Sequence, residues 1–212
     1  MRRKKDGFLI VISGPSGAGK DTIAKGLLEK HDDIYLSISM TTRERREKEV
    51  DKVDYYFVDE STFLKNIKDD NFIEYAKVYD KYYGTPKNEV LDRLKKGIDV
   101  VLVVDITGAI NIKKMFKDAI FIFIMPPDLK TLMRRVINRN RDSKEKILNR
   151  FKLDYKLINE YNKYNYVVVN DNIEDAVSKV DAILTSSKCS VERIEDLELD
   201  NEEEIIHEFL TS

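Results

Sequence analysis

The run FLIVISGPSGAGKDTIAKGLL, residues 8–28, constrains this chain more than any other. Residues 8–13 are a β-rich apolar stretch, as expected of a central parallel strand. Ile23, Leu27 and Leu28 then recur at helical spacing, and a helix is expected over 21–31. Between the two lie Gly14, Gly17, Gly19 and Lys20. Glycine permits the backbone conformations that turn successive N–H groups toward one point. The following helix adds the positive end of its dipole. Strand, glycine loop, lysine and helix together read as a phosphate-binding loop. Gly14, Pro15, Ser16, Gly17, Ala18, Gly19, Lys20, Asp21 and Thr22 are therefore the candidate ATP-binding residues, with Lys20 reaching the β and γ phosphates.

One residue departs from the loop pattern. Ser or Thr normally follows the lysine, where its hydroxyl meets Mg²⁺. Here the position is Asp21, and Thr22 comes one place later. The anion cradle is backbone plus Lys20, so it survives the change. A carboxylate is a good hard ligand for Mg²⁺. It is also a residue that a helix N-terminus favours without any metal. Both readings of Asp21 stay open at this point, the first making it the candidate metal ligand.

Further strands are expected at 100–104, 119–125 and 166–169, and further helices at 108–116, 128–137, over most of 143–162, and at 173–184. Strands alternating with helices imply a parallel sheet covered on both faces. Residues 37–94 break that rhythm with short, Tyr- and Arg-rich pieces such as VDYYFV. They read as a small lobe inserted into the core. The polar interruption NRNRDS, 138–143, reads as a flap between two helices.

Composition adds limits. The formal net charge of -2 argues for neither a nucleic-acid nor a membrane partner. Residues 186–212 carry nine acids against Lys188 and Arg193, which leaves the first 185 residues at +5 and suits a phosphorylated substrate. One cysteine, Cys189, rules out a disulfide within the chain and, with two histidines, a Cys/His metal cluster. A reducing, cytoplasmic setting is the simplest expectation. The tail residues Ile194, Leu197, Ile205, Ile206, Phe209 and Leu210 can line one face of a broken helix, and the readings open for it are packing on the body, contact with another copy, or partial disorder.

The inserted segment holds a second anion-binding set. Arg43 and Arg46 lie three apart at a turn, and the guanidinium fork matches phosphate oxygens. Tyr55 and Tyr83 can donate phenolic hydrogen bonds to the same group; without the neighbouring arginines, a core tyrosine with a satisfied hydroxyl would be the plainer reading of either. Tyr56, Tyr75 and Tyr82 read as packing. Ser39, Glu74 and Thr85 are polar residues among apolar neighbours. A carboxylate accepting two donors suits guanine, whose N1–H and 2-amino group point the same way; adenine offers no such pair.

These residues resemble the guanylate kinase family from about residue 7 to about residue 184. The resemblance is carried by GPSGAGK, TTR with a second arginine three later, VDYYFV, FIEYA, YYGTP, DITGA, PP before the lid helix, and VVVND. It implies a P-loop NTPase-type α/β core over 1–36 and 97–185, with helices on both faces of the sheet. An NMP-binding lobe over 37–96, a lid at about 135–150 and an acidic tail over 186–212 complete that division. It implies transfer of a phosphoryl group from ATP to GMP and dGMP with Mg²⁺. By the same resemblance Ser39, Glu74 and Thr85 hold guanine, and Arg43, Arg46, Tyr55 and Tyr83 hold the GMP phosphate. Asp105 lies near GMP and metal. Lys20, Arg43 and the lid residues Arg135, Arg139 and Arg150 supply charge to the transferring group. Two positions depart from the family: Asp21 replaces a serine, and Val103 stands where an acid is usual two residues before Asp105. Two readings stay open: the negative charge has moved from the strand end to the loop, or the changes are ordinary drift with strand packing favouring Val103. A kinase acting on ribose 1,5-bisphosphate shares the aspartate after the lysine, and a non-catalytic guanylate-kinase-like binding module shares the lobe. Glu74 with its neighbours argues against the first, and the intact loop argues against the second.

Overall fold

A computed structural model describes residues 2–3, 6–47, 49–78, 80–139, 144–191, 194–196 and 202–211, with side chains for all of them except 2, 3, 138, 139, 144, 146, 147, 150, 194–196 and 202–205. In chain order the elements are β1 (Arg2–Arg3), β2 (Leu9–Ser13), α1 (Lys20–Leu28), β3 (Ile34–Leu36), β4 (Met40–Thr41), β5 (Tyr56–Phe57), α2 (Glu60–Lys68), β6 (Phe72–Val78), β7 (Lys81–Pro86) and α3 (Lys87–Lys95). They continue with β8 (Asp99–Val103), α4 (Ile106–Met115), β9 (Ile120–Met125), α5 (Leu129–Arg139), α6 (Lys144–Leu157), a 3-10 turn at Ile158–Lys163, β10 (Tyr166–Val169), α7 (Ile173–Lys188), β11 (Ile194–Asp196) and α8 (Glu202–Thr211).

The principal sheet is parallel, in the order β10-β9-β2-β8-β3. Strand β2 is central and wholly buried, because both faces of the sheet are covered. Its side chains alternate between two cores. Ile10 and Ile12 pack with Ile23, Leu27, Ile122 and Val180 on the side of α1 and α7. Leu9 and Val11 pack with Val90, Leu102, Ile112 and Phe121 on the side of α3 and α4. Each such side chain contributes about 1.5–3 kcal/mol through removal from water. The edge strand β3 was absent from the expected set; three residues are too few to show a period.

The segment after β3 builds a second sheet, in the order β5-β4-β7-β6. Its hairpin pairs Glu74 with Thr85 and Ala76 with Tyr83, and β4 sets Thr41 opposite Tyr83. Side chains at these positions share one face. The other face is covered by α2, where buried Phe63 stacks on Phe72 at 4.6 Å and on Tyr82 at 5.3 Å. A register shift between Phe72 and Glu74 lets Ile73 join the second body core while Glu74 turns to the polar face. Helices α2 and α3 were not anticipated within this segment. The first is started by Asp59, whose carboxylate accepts from the Thr62 N–H at 2.7 Å.

Two expectations differ from the structure, for Ile194 and for Tyr75. Ile194 lies in a strand, β11, which pairs antiparallel with β1, and not on a helix. Leu197 falls outside the described residues. Ile206, Phe209 and Leu210 sit on α8 and are exposed. Tyr75 is 47% exposed instead of packed, its ring tilted against Phe72 at 6.3 Å. Of the interruption at 138–143, residues 140–143 lie outside the described set. No described helix is long and apolar enough to cross a membrane.

Candidate active site

In parallel α/β sheets, ligands gather beyond the carboxyl ends of the strands, where the chain order reverses. Here β2 ends in the glycine loop and β8 ends in Val104 and Asp105. Both face the polar side of the four-stranded mixed sheet across a cleft of about 270 Å³. Gly14, Ser16, Gly17, Lys20 and Asp21 line it from the loop. Ser39, Arg43, Arg46, Tyr55, Glu74 and Tyr83 line it from the inserted segment, and Val103 and Asp105 from the end of β8. Leu153, Asp154 and Leu157 of α6 close it on the remaining side. Pro15, Ala18, Gly19 and Thr22 do not line the cleft, and Thr22 is exposed on α1.

Two glycines of the loop are needed for shape. Gly14 has φ +143 and a Cβ there would lie 2.3 Å from the Ile124 carbonyl oxygen. Gly19 has φ +98, and its bare Cα lets the Asn170 side chain come close and donate to the Ala18 carbonyl at 2.7 Å. The Lys20 ammonium folds over the loop and donates to the carbonyls of Gly14 (2.8 Å) and Pro15 (3.0 Å). The Ser16 N–H, one of the amides that a phosphate-binding loop offers, donates to the Asp154 carboxylate at 2.7 Å.

On the opposite wall, Arg43 is held from three directions. Its guanidinium makes a bidentate pair with Glu49, both contacts at 2.6 Å. It stacks over Tyr55 at 5.0 Å and Phe57 at 5.4 Å. Its backbone N–H donates to the Thr41 hydroxyl at 3.3 Å. The two threonines before it clamp β4 to Tyr82: Thr41 donates to the Tyr82 carbonyl at 2.9 Å, and Thr42 accepts from its N–H at 3.0 Å. Arg46 is more exposed, and its backbone N–H also donates to Glu49. Burial alone would raise the Glu49 pKa, but Arg43 and the Arg46 amide hold it below the usual carboxylate range. Burial pushes the Tyr55 phenol up to about 12, with the negative charge of Asp21 adding to the effect. That coupling shows how near the inserted sheet lies to the loop. Tyr55 and Tyr83 meet edge to face at 6.2 Å.

Glu74 is buried, and the Thr85 hydroxyl donates to its Oε1 at 3.0 Å. Burial pushes its carboxyl up to about 7; the Thr85 bond works against that shift and the charge of Asp105 adds to it. Asp105 caps α4, accepting from the Gly108 N–H at 2.6 Å. Arg135 does not line the cleft; it donates to the Asn170 backbone carbonyl at 3.1 Å. Arg139 and Arg150 lie on α5 and α6, with side chains outside the described ones. Among the described residues no group of three or more His, Cys, Asp or Glu is placed to hold a metal ion.

Glu49, Asp154 and Asn170 were not singled out from the sequence. Glu49 is one charge among many in RERREKEVDK, and Asp154 sits on a helix whose charges read as a wet face. Asn170, the residue after β10, had a signal in the polar break that closes VVVND.

A glycine phosphate loop at the end of a central parallel strand, facing a basic and carboxylate-bearing wall, defines a P-loop kinase of the nucleoside monophosphate class. A sequence model of the guanylate kinase family matches residues 7–187. A guanylate kinase of Clostridium perfringens (strain SM101 / Type A) is 50% identical over 210 residues, covering 99% of this chain and 97% of the relative. One of Caldanaerobacter subterraneus subsp. tengcongensis is 52% identical over 206 residues, covering 97% of this chain and all of the relative. The crystal structure of guanylate kinase from Anaplasma phagocytophilum superposes with a TM-score of 0.76 at 33% identity, over 90% of this chain and 91% of that one. The chain belongs to the guanylate kinase family.

Proposed function

We propose that the protein transfers the γ-phosphoryl group of ATP to GMP, and to dGMP, giving ADP and GDP. The observation that carries this reading is Glu74: a buried carboxylate on the cleft wall, with one oxygen held by Thr85. Burial without a cationic partner is unfavourable to its charged form. Guanine relieves this, since N1–H and the 2-amino group together donate to one carboxylate. Adenine leaves the acid unpaired, at about 1–3 kcal/mol or more. Ser39 and Asp105 complete the base pocket. Arg43, Arg46, Tyr55 and Tyr83 receive the GMP phosphate, which takes the fork now closed on Glu49.

Residues 14–22 cradle the triphosphate, and Lys20 swings from its loop carbonyls onto the β and γ oxygens. Arg135, Arg139 and Arg150 add positive charge from the lid at 135–150. The attacking oxygen of GMP is already ionised, so the protein aligns two phosphates, neutralises charge and excludes water, with no general base. Mg²⁺ fits this chain as an ion arriving with ATP: the cleft offers the hard oxygens of Asp21 without an all-protein cage, as Mg²⁺ bound largely by phosphates and water requires. It would neutralise charge on the phosphate oxygens when bound. Val103 and Asp21 line the same cleft, which supports a carboxylate relocated from strand end to loop. The division is core at 1–36 and 97–185, lobe at 37–96 and tail at 186–212, in a protein of the reducing cytoplasm.

Coupled ADP release measured with GMP, dGMP, AMP, UMP and ribose 1,5-bisphosphate tests the reading. Turnover with GMP and dGMP far above the others is expected. Preference for ribose 1,5-bisphosphate, or no turnover with any acceptor, overturns it.

A further inference from the structure

Gly108 occupies the third position of α4, a ten-residue helix. Glycine inside a helix is unfavourable by about 0.5–1 kcal/mol relative to alanine, so its presence there asks for a reason. Its backbone supplies none, because its φ lies outside the left-handed region. The reason is a side chain. A Cβ on Gly108 would lie 2.8 Å from Glu74 Oε2 and 3.3 Å from both Glu74 Cδ and Asp105 Oδ1. The bare Cα is thus the surface against which one oxygen of Glu74 rests, while Thr85 fixes the other at 3.0 Å. The Gly108 N–H meanwhile holds Asp105 at 2.6 Å. One residue sets the position of both carboxylates on the wall of the cleft.

We propose that Gly108 is a specificity-determining positioning residue: the missing side chain holds the Glu74 carboxylate in the orientation that accepts a purine N1–H and 2-amino group together. This rests on the reading that Glu74 recognises guanine. The atom in conflict with a Cβ is the far end of a flexible side chain. The fold therefore absorbs an added methyl by swinging the carboxylate, and the change appears in recognition and not in stability. Two parallel hydrogen bonds demand an orientation that a swung carboxylate no longer provides.

The test is Gly108→Ala beside Glu74→Ala, with GMP, IMP (which lacks the 2-amino group) and AMP as acceptors. Gly108→Ala is expected to raise the KM for GMP about tenfold or more, with the KM for ATP within about twofold, because a misplaced contact acts on the substrate it touches. GMP should lose most of its advantage over IMP, and the melting temperature should hold or rise. In a Glu74→Asp background, whose shorter side chain leaves room for the methyl, the same substitution should raise the KM for GMP by less than about threefold, since coupled residues are not additive. Three outcomes overturn the proposal: an unchanged KM and IMP discrimination in Gly108→Ala while Glu74→Ala loses them; equal losses for ATP and GMP with a lowered melting temperature; or the same penalty in both backgrounds. Should Glu74→Ala itself keep the full preference for GMP, the guanine reading fails instead, whatever Gly108→Ala does.

Discussion

Protonation of Glu74 is tied to folding and to recognition with opposite signs. Its pKa rises from 4.5 in the unfolded chain to about 7 in the fold. Between those values the folded state binds more protons, so its stability declines as pH rises through that window and levels off above it. Glu74→Gln cannot ionise. Its melting temperature is expected to gain on the parent protein from about pH 5 to about pH 7.5, as thermal melts across that range would show, whereas a constant difference would count against it. On the proposed function, recognition of GMP needs the carboxylate. The kcat/KM for GMP should therefore fall toward acid below about pH 7, approaching tenfold per unit, without a matching rise in the KM for ATP. Legibility at this scale followed chemistry that is local in sequence. Gly14, Gly17, Gly19 and Lys20 form one contiguous motif. Glu49 was hidden because its partner, Arg43, is reached by a turn through a run of charges. Gly108 was hidden because its importance lies in a contact with a strand 34 positions earlier, at Glu74.

Among the elements, α6 carries a consequence through Asp154. Its carboxylate accepts from the Ser16 N–H, an amide that a phosphate would claim. Asp154→Ala removes that competitor, and the KM for ATP is expected to fall by about two- to tenfold, in line with one charge-assisted hydrogen bond. A KM that stays level or rises in steady-state assays would show that the contact does not compete. Helix α2 acts differently, as the cover of the four-stranded sheet. Phe63→Ala leaves a cavity behind Phe72 and Tyr82 and should lower the unfolding free energy by about 3–5 kcal/mol in urea titrations. The strands β2, β8 and β9 were readable because buried parallel strands leave unbroken apolar runs, and the edge strand β10, mostly exposed, still shows as the run YVVV. The pieces of the second sheet were not: β4 and β5 have two residues each, and β4 is pinned to β7 by Thr41, Thr42 and Tyr82.

The five-stranded and four-stranded sheets meet at one cleft, and they are stitched together in several places. Ile73 plugs the inserted hairpin into the body core. Lys25 of α1 reaches Asp54 at 3.5 Å, an exposed pair that contributes little by itself. Ligands that touch both walls should therefore stabilise the whole fold. GMP at about a hundred times its Kd is expected to add about 2.7 kcal/mol to the unfolding free energy. Glu74→Ala at that same GMP concentration should show almost none of this in a thermal-shift experiment. The alternation of strands and helices disclosed the parallel sheet, but the approach of the second sheet to the first depends on long-range contacts that no local pattern records.

The carboxylates of Glu49 and Asp154 leave neither phosphate site as bare positive surface. A stray sulfate or bicarbonate meets a guanidinium fork already engaged and a loop amide already answered. Small anions of that kind bring no second point of attachment, so they have nothing with which to outbid the chain's own acids. On the proposed function a nucleotide does, because its base would grip Glu74 while its phosphate contests the fork. Selectivity against the salts of the cell would in this way follow from the resting charge arrangement, before any acceptor base is read.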